Sequence, residues 1–159
     1  MRQKELSVWL KLIIIFCGLF VLFFNIYIGL ETGKVLMQSS ANLKTLYTPF
    51  VAFIWVTTVP FFIALFLGWS ICTDISFDQA FTAKNAERLK IISFLSMIEG
   101  ILYTSALFFI FKFETYSINS LIILVIILFF SVIISVFTSM LSHLVRNASE
   151  IKQDNDLTI

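Results

Sequence analysis

The sequence predicts an all-α polytopic membrane protein, a bundle of four transmembrane helices with both termini in the cytoplasm. Three observations carry this. Hydrophobic residues make up 59% of the 159-residue chain and charged residues only 13%, against about 25% charged in a soluble domain. Nearly uncharged stretches recur four times along the chain, each meeting the about 20 residues that a helix needs to cross the hydrocarbon core. The basic residues that flank those stretches are distributed unevenly between the two sides.

The first span is placed at about residues 8–30. Arg2 and Lys4 precede an apolar run from Leu12 to Phe24, which has the look of a signal peptide. No small-residue cleavage site follows closely, and the run continues through Asn25 to Leu30, so a retained helix is expected. The second span, about 47–72, lies in the uncharged stretch from Thr45 to Thr73. The third, about 90–111, has one charge, Glu99, and the fourth, about 118–145, has none, with His143 near its end. Hydrocarbon offers backbone amides no water, so each segment must close its hydrogen bonds internally as a helix. The ten-residue alternation of a membrane barrel is not present. The chain thus reads as a single domain, 1–159, ending in a short cytoplasmic tail at 146–159.

Orientation follows from the Lys and Arg residues. Arg2, Lys4, Lys11, Lys84, Arg88, Lys90, Arg146 and Lys152 fall on one side, and Lys34, Lys44 and Lys112 on the other. The richer side is predicted to be cytoplasmic. The outer connections are then Glu31 to Leu46 and a tight turn at Lys112 to Asn119, which makes spans three and four antiparallel neighbours. The inner loop is Asp74 to Lys90, and Thr82 is placed to cap a helix beginning near Ala83.

Several function classes are disfavoured. A net charge of +1 supplies no field for direct nucleic-acid binding. Cys17 and Cys72 sit inside apolar runs and read as small core hydrophobes. No Ser/His/Asp arrangement, paired carboxylates, Gly-rich phosphate loop or metal cluster is present in the sequence, so neither an enzyme nor a cofactor is expected. The halves do not repeat each other, which argues against an inverted-repeat transporter. Asn147-Ala148-Ser149 matches the glycosylation pattern, but on the side predicted to be cytoplasmic.

The polar residues inside the spans have helical spacing. Span three carries Ser93, Ser96, Glu99, Gly100, Tyr103 and Thr104, and span four Ser131, Ser135, Thr138, Ser139 and Ser142. Small and hydroxyl residues let membrane helices approach closely and hydrogen-bond. A packed seam and a polar ligand cavity both fit, with the seam as the leading reading. Glu99, Ser96, Tyr103 and Ser135 form the candidate intramembrane polar site. A carboxylate at mid-span is costly, so a neutral Glu99 donating to Ser96, Tyr103 or a span-four serine is expected. A proton, cation or ligand site is the alternative. Pro60 removes a helix hydrogen bond, and Thr57 is placed to satisfy a freed carbonyl.

Three stretches carry a resemblance. They are Pro60-Phe61-Phe62-Ile63-Ala64-Leu65 in span two, Phe77 to Thr82 with Asn85 to Lys90 in the inner loop, and Arg146-Asn147-Ala148 with Ile151 to Ile159 in the tail. Together they resemble domain-of-unknown-function family 2975, small bacterial four-span membrane proteins. The acidic tail ending in Leu-Thr-Ile is the most specific part, and Glu99 lies outside the pattern. The resemblance implies no set biochemical activity. Members often neighbour the genes of small helix-turn-helix proteins, which implies a membrane partner that tethers or senses for a regulator.

The leading expectation is therefore a membrane anchor or sensor in the bacterial plasma membrane that binds a small cytoplasmic transcription regulator. Asp154, Asp156, Leu157 and Ile159 are the candidate docking residues. The alternatives are a small oligomeric transporter or pore using the Glu99 face, which would require a homo-oligomer, and a passive membrane or immunity factor.

Overall fold

The computed structural model describes residues 3–38, 47–112 and 118–157, with the side chains at 32–33, 35–38, 119–120 and 155–157 excepted. These residues form four helices: α1 (Gln3–Gln38), α2 (Tyr47–Ser76), α3 (Ala83–Lys112) and α4 (Ile118–Leu157). All four are long and apolar enough to cross a membrane. Each extends beyond its expected span. α1 runs on to Gln38, so the first part of the stretch assigned to the outer loop is helical, and Lys44 lies outside the described residues. α4 has 40 residues, which at 1.5 Å each is roughly 60 Å. It outruns the roughly 30 Å hydrocarbon core and carries the expected tail onward as helix to Leu157.

Packing follows chain order. α1 lies on α2, α2 on α3 and α3 on α4, the last being the most extensive contact. Among the described residues no comparable contact joins α1 to α4, so the bundle is open and those helices form its two ends. Cys72 and Ala86 are its only buried hydrophobic residues among those described, while Phe16, Phe23, Phe66 and Phe108 are each about 70% exposed (69%, 70%, 69% and 74%). This is the inverse of a soluble core. Lipid tails cover apolar side chains as well as other side chains do, so small and polar residues occupy the helix contacts instead.

Hydroxyl groups join α3 to α4 along the expected seam. The Ser93 hydroxyl donates to the Ser135 carbonyl at 2.8 Å, and the Ser135 hydroxyl donates to the Ser93 carbonyl at 3.0 Å. Ser131 donates to the Ser96 carbonyl, and Ser142 to the Ala86 carbonyl at 2.6 Å. A Cβ on Gly100 would lie 3.2 Å from the Ser131 hydroxyl, so the helices approach where glycine leaves room. Between α1 and α2, Ser7 donates to the Cys72 carbonyl at 2.5 Å and Asn25 to the Thr58 hydroxyl at 2.9 Å. Gly18 faces Leu65 and Phe62. These pairings place the start of α1, the α2–α3 loop and the end of α4 at one end of the bundle.

Pro60 lies within α2, which continues through it to Ser76. The expected role of Thr57 is corrected. Pro60 lacks the amide that would bond the Val56 carbonyl, but the Thr57 hydroxyl donates to the Phe53 and Ile54 carbonyls, each at 3.1 Å. A threonine hydroxyl on a helix reaches back three or four residues, and Val56 is only one residue away.

Candidate functional site

Two regions concentrate polar chemistry. One is the middle of α3. Residues one apart on a helix differ by about 100°, so Gly100 and Glu99 cannot face the same neighbour. Gly100 meets Ser131 of α4. Tyr103, one turn after Glu99, lies toward α2, where its ring meets Phe53 edge-on at 5.6 Å. The four residues grouped from the sequence therefore divide. The Ser135 hydroxyl and the Ser96 backbone carbonyl bond within the α3–α4 seam, whereas the Tyr103 ring meets α2. The expected hydrogen bond from Glu99 to Ser96, Tyr103 or a span-four serine is not formed by Oε1. That oxygen is buried and has no partner among the described residues. On α4, the Ser131, Ser135 and Ser142 hydroxyls are already committed to backbone carbonyls, which leaves those three no free donor to offer it.

The second region is the α2–α3 loop, where the sequence pointed to the Thr82 cap and to part of the family resemblance but not to a role for Asn85. Here α2 ends in a Schellman motif. The Gln79 amide donates to the Asp74 carbonyl at 2.9 Å and the Asp78 amide to the Ile75 carbonyl at 3.2 Å. Asp78 occupies the left-handed position with φ 60°, where glycine is usual. α3 then starts as expected, with Thr82 accepting the Asn85 amide on its hydroxyl at 3.3 Å.

Asn85 fixes the loop between these two caps. It is 1% exposed and its side-chain amide donates to the Gln79 and Ala80 carbonyls at 3.0 and 3.2 Å. Its Oδ1 accepts from Arg88 at 2.8 Å, and Arg88 also bonds Asp74 at 2.5 Å. The lock thus ties the end of α2 to the start of α3 and holds out Phe77 and Phe81, 69% and 57% exposed. The available sequence signal was a polar residue three positions after a threonine cap, where a side chain can reach back.

Lys11 lies over the Trp69 ring, 5.1 Å from its centroid, an aromatic and basic pairing typical of a membrane interface. Asp154 is exposed near the end of α4. The side chains of Asp156 and Leu157, and the whole of Ile159, lie outside the described residues. The two cysteines are free, Cys72 buried and Cys17 half-buried. Among the described residues, no group of three His, Cys, Asp or Glu side chains converges as a metal site would require.

Residues 31–159 match the family described as protein of unknown function (DUF2975). The chain belongs to this family. The match begins at the end of the first apolar run and takes in α2, the Asn85 lock, α3 and all of α4. Similarity to an uncharacterized membrane protein, YoaS of Bacillus subtilis (strain 168), extends further. It is 24% identical over 155 residues, covering 96% of this chain and 97% of that protein, so it includes α1. No solved structure matches the chain.

Proposed function

We propose that this protein is a non-enzymatic anchor or sensor in the bacterial plasma membrane, and that it binds a small cytoplasmic helix-turn-helix regulator on the end carrying the α2–α3 loop. The observation that supports the reading is the rigid display of Phe77 and Phe81. Exposed aromatic pairs on an ordered scaffold are the usual anchors of protein interfaces. The Asn85–Arg88–Asp74 lock lowers the ordering cost of binding, because the loop is held before the partner arrives. Sensing would operate by population shift. A change in the membrane favours one packing of α2 against α3, and the regulator binds only that packing. Asp154 lies at the same end and contributes an acidic flank.

The test is affinity capture from native membranes with identification of the retained proteins by mass spectrometry. A small helix-turn-helix protein is expected with the wild type and is lost with the Phe77→Ser/Phe81→Ser double variant, which still inserts and folds. Recovery unchanged by the double variant would sink the reading. Deleting Asp154 to Ile159 separates the tail's part: weaker recovery assigns it a contribution, and full recovery confines docking to the loop.

The unpartnered Glu99 Oε1 favours a second reading, a small oligomeric transporter or pore that uses this face. A carboxyl oxygen left without a partner at mid-membrane is a place for a proton or cation. Purified protein in liposomes holding a pH dye tests this. Under the anchor reading the wild type carries no flux, and Glu99→Gln retains both fold and regulator capture. A flux that Glu99→Gln abolishes would replace the anchor reading with the transport one.

A further inference from the structure

One face of α4 carries an apolar stripe that continues past the membrane into water. On the side toward α3, Ser131, Ser135 and Ser142 make the interhelical hydrogen bonds. Roughly 130° around the helix, at 100° per residue, lie Ile134, Phe137, Leu141, Leu144, Ala148 and Ile151. Their spacing alternates three and four, the seam of a coiled coil. Phe137, Leu144 and Ile151 are 62%, 60% and 63% exposed. Within the bilayer such a stripe needs no explanation, since lipid covers it. Beyond the bilayer it does.

Depth can be read from the hydrogen bonds. Lys90 ends the apolar part of α3, and Ala86 lies about 6 Å beyond it at 1.5 Å per residue. Ser142 is level with Ala86, because its hydroxyl donates to that carbonyl. Ile151 is then about 14 Å further out, about 20 Å past Lys90. The headgroup layer is only about 5–8 Å deep on each side. Ile151 and Ala148 clear it, and lipid cannot cover them. α4 remains helical to Leu157, packed on the side of Ser149, which is 5% exposed, while the side bearing Ile151 stays open at 63%.

We propose that a second copy of this chain covers this face, so that two α4 helices form a parallel two-stranded coiled coil running from the membrane into water. Two features favour a second copy over another protein. Copies inserted in one bilayer share an orientation, so the same stripe meets itself in register about a two-fold axis. The register's next position falls on Asn155, a residue type that two-stranded parallel coils use there to fix alignment. Flanking charge permits the pairing: the edge bearing Asn147 meets the edge bearing Lys152 of the other copy, without like charges opposed. α4 is an end helix of the open bundle, so pairing through it leaves the α1–α2–α3 contacts and the aromatic loop in place. The dimer does not depend on the regulator reading.

Disulfide mapping in native membranes tests it, in a Cys17→Ala/Cys72→Ala background. Leu144→Cys and Ile151→Cys are expected to give a cross-linked species of twice the chain mass on mild oxidation, at least tenfold above His143→Cys and Gln153→Cys, which lie off the stripe. Ile151→Asp is expected to lower the dimer fraction at least fivefold, read by single-molecule photobleaching in nanodiscs, with hydrogen exchange at the α2–α3 loop unchanged. Equal cross-linking at all four sites, no dimer at any, or a product with a different protein's mass would each overturn the proposal. Regulator capture is measured separately, so either idea can fail alone.

Discussion

Replacing Asn85 by alanine is expected to release the α2–α3 loop while leaving the membrane spans intact. Three side-chain hydrogen bonds are lost: two donated to the Gln79 and Ala80 carbonyls and one accepted from Arg88. A neutral bond contributes about 1 kcal/mol net, and one to a charged group about 1.5–3 kcal/mol. Arg88 keeps its bond to Asp74, so the lower end of that range applies, and the loss comes to about 3–4 kcal/mol. At 1.4 kcal/mol per tenfold, loop opening becomes roughly 100- to 1,000-fold more favourable. Hydrogen exchange in nanodiscs reads this directly, because amide protection reports local opening. The informative amides are those of Phe77, Asp78 and Gln79, which bond Asp74 and Ile75, and of Asn85 and Ala86, which bond Thr82. They should lose protection by that factor, while amides in the middle of α4 do not change. Ser105→Ala, which removes only an exposed hydroxyl bond to the carbonyl three residues back, is the control. Exchange within threefold of wild type in Asn85→Ala would refute the assignment of Asn85 as the lock.

Three further outcomes are expected. Gly100→Leu should lower thermal stability in detergent, because even its Cβ would lie 3.2 Å from Ser131. Gly29→Ala, with nothing within 4 Å, should gain up to about 1 kcal/mol from helix propensity, and equal effects at the two sites would discount the seam. Asp78→Gly should stabilise the loop by up to about 1 kcal/mol, because glycine takes the left-handed φ of 60° without a steric cost; slower exchange at Gln79 is the measurement. Cysteines at Lys34 and Lys112, in the cysteine-free background, should label from outside intact cells and those at Lys84 and Lys152 only after permeabilisation. External labelling at Lys84 would reverse the orientation.

The sequence by itself determined the class of the molecule and the position of its helices. An uncharged stretch the length of a bilayer has one stable backbone solution in hydrocarbon, and that constraint is local to the segment. The Thr82 cap and the start of α3 at Ala83 were legible for the same reason, since a cap acts within one turn. The seam between α3 and α4 could also be read, because serines spaced by three and four lie on one face whatever that face meets.

The tertiary structure decided which face meets which helix. Ser135 and Tyr103 looked like members of one site, but Ser135 pairs with Ser93 while Tyr103 meets Phe53 of α2, and Glu99 Oε1 is left without a partner. Thr57 could not serve the carbonyl freed by Pro60, because a helical hydroxyl reaches back by a full turn. The bond between Asp74 and Arg88 joins residues fourteen apart, and Ser7 reaches a carbonyl sixty-five residues away. Such pairs depend on the distance and rotation between two packed helices. Those quantities are set jointly by every contact along them, and no single segment of the chain contains them.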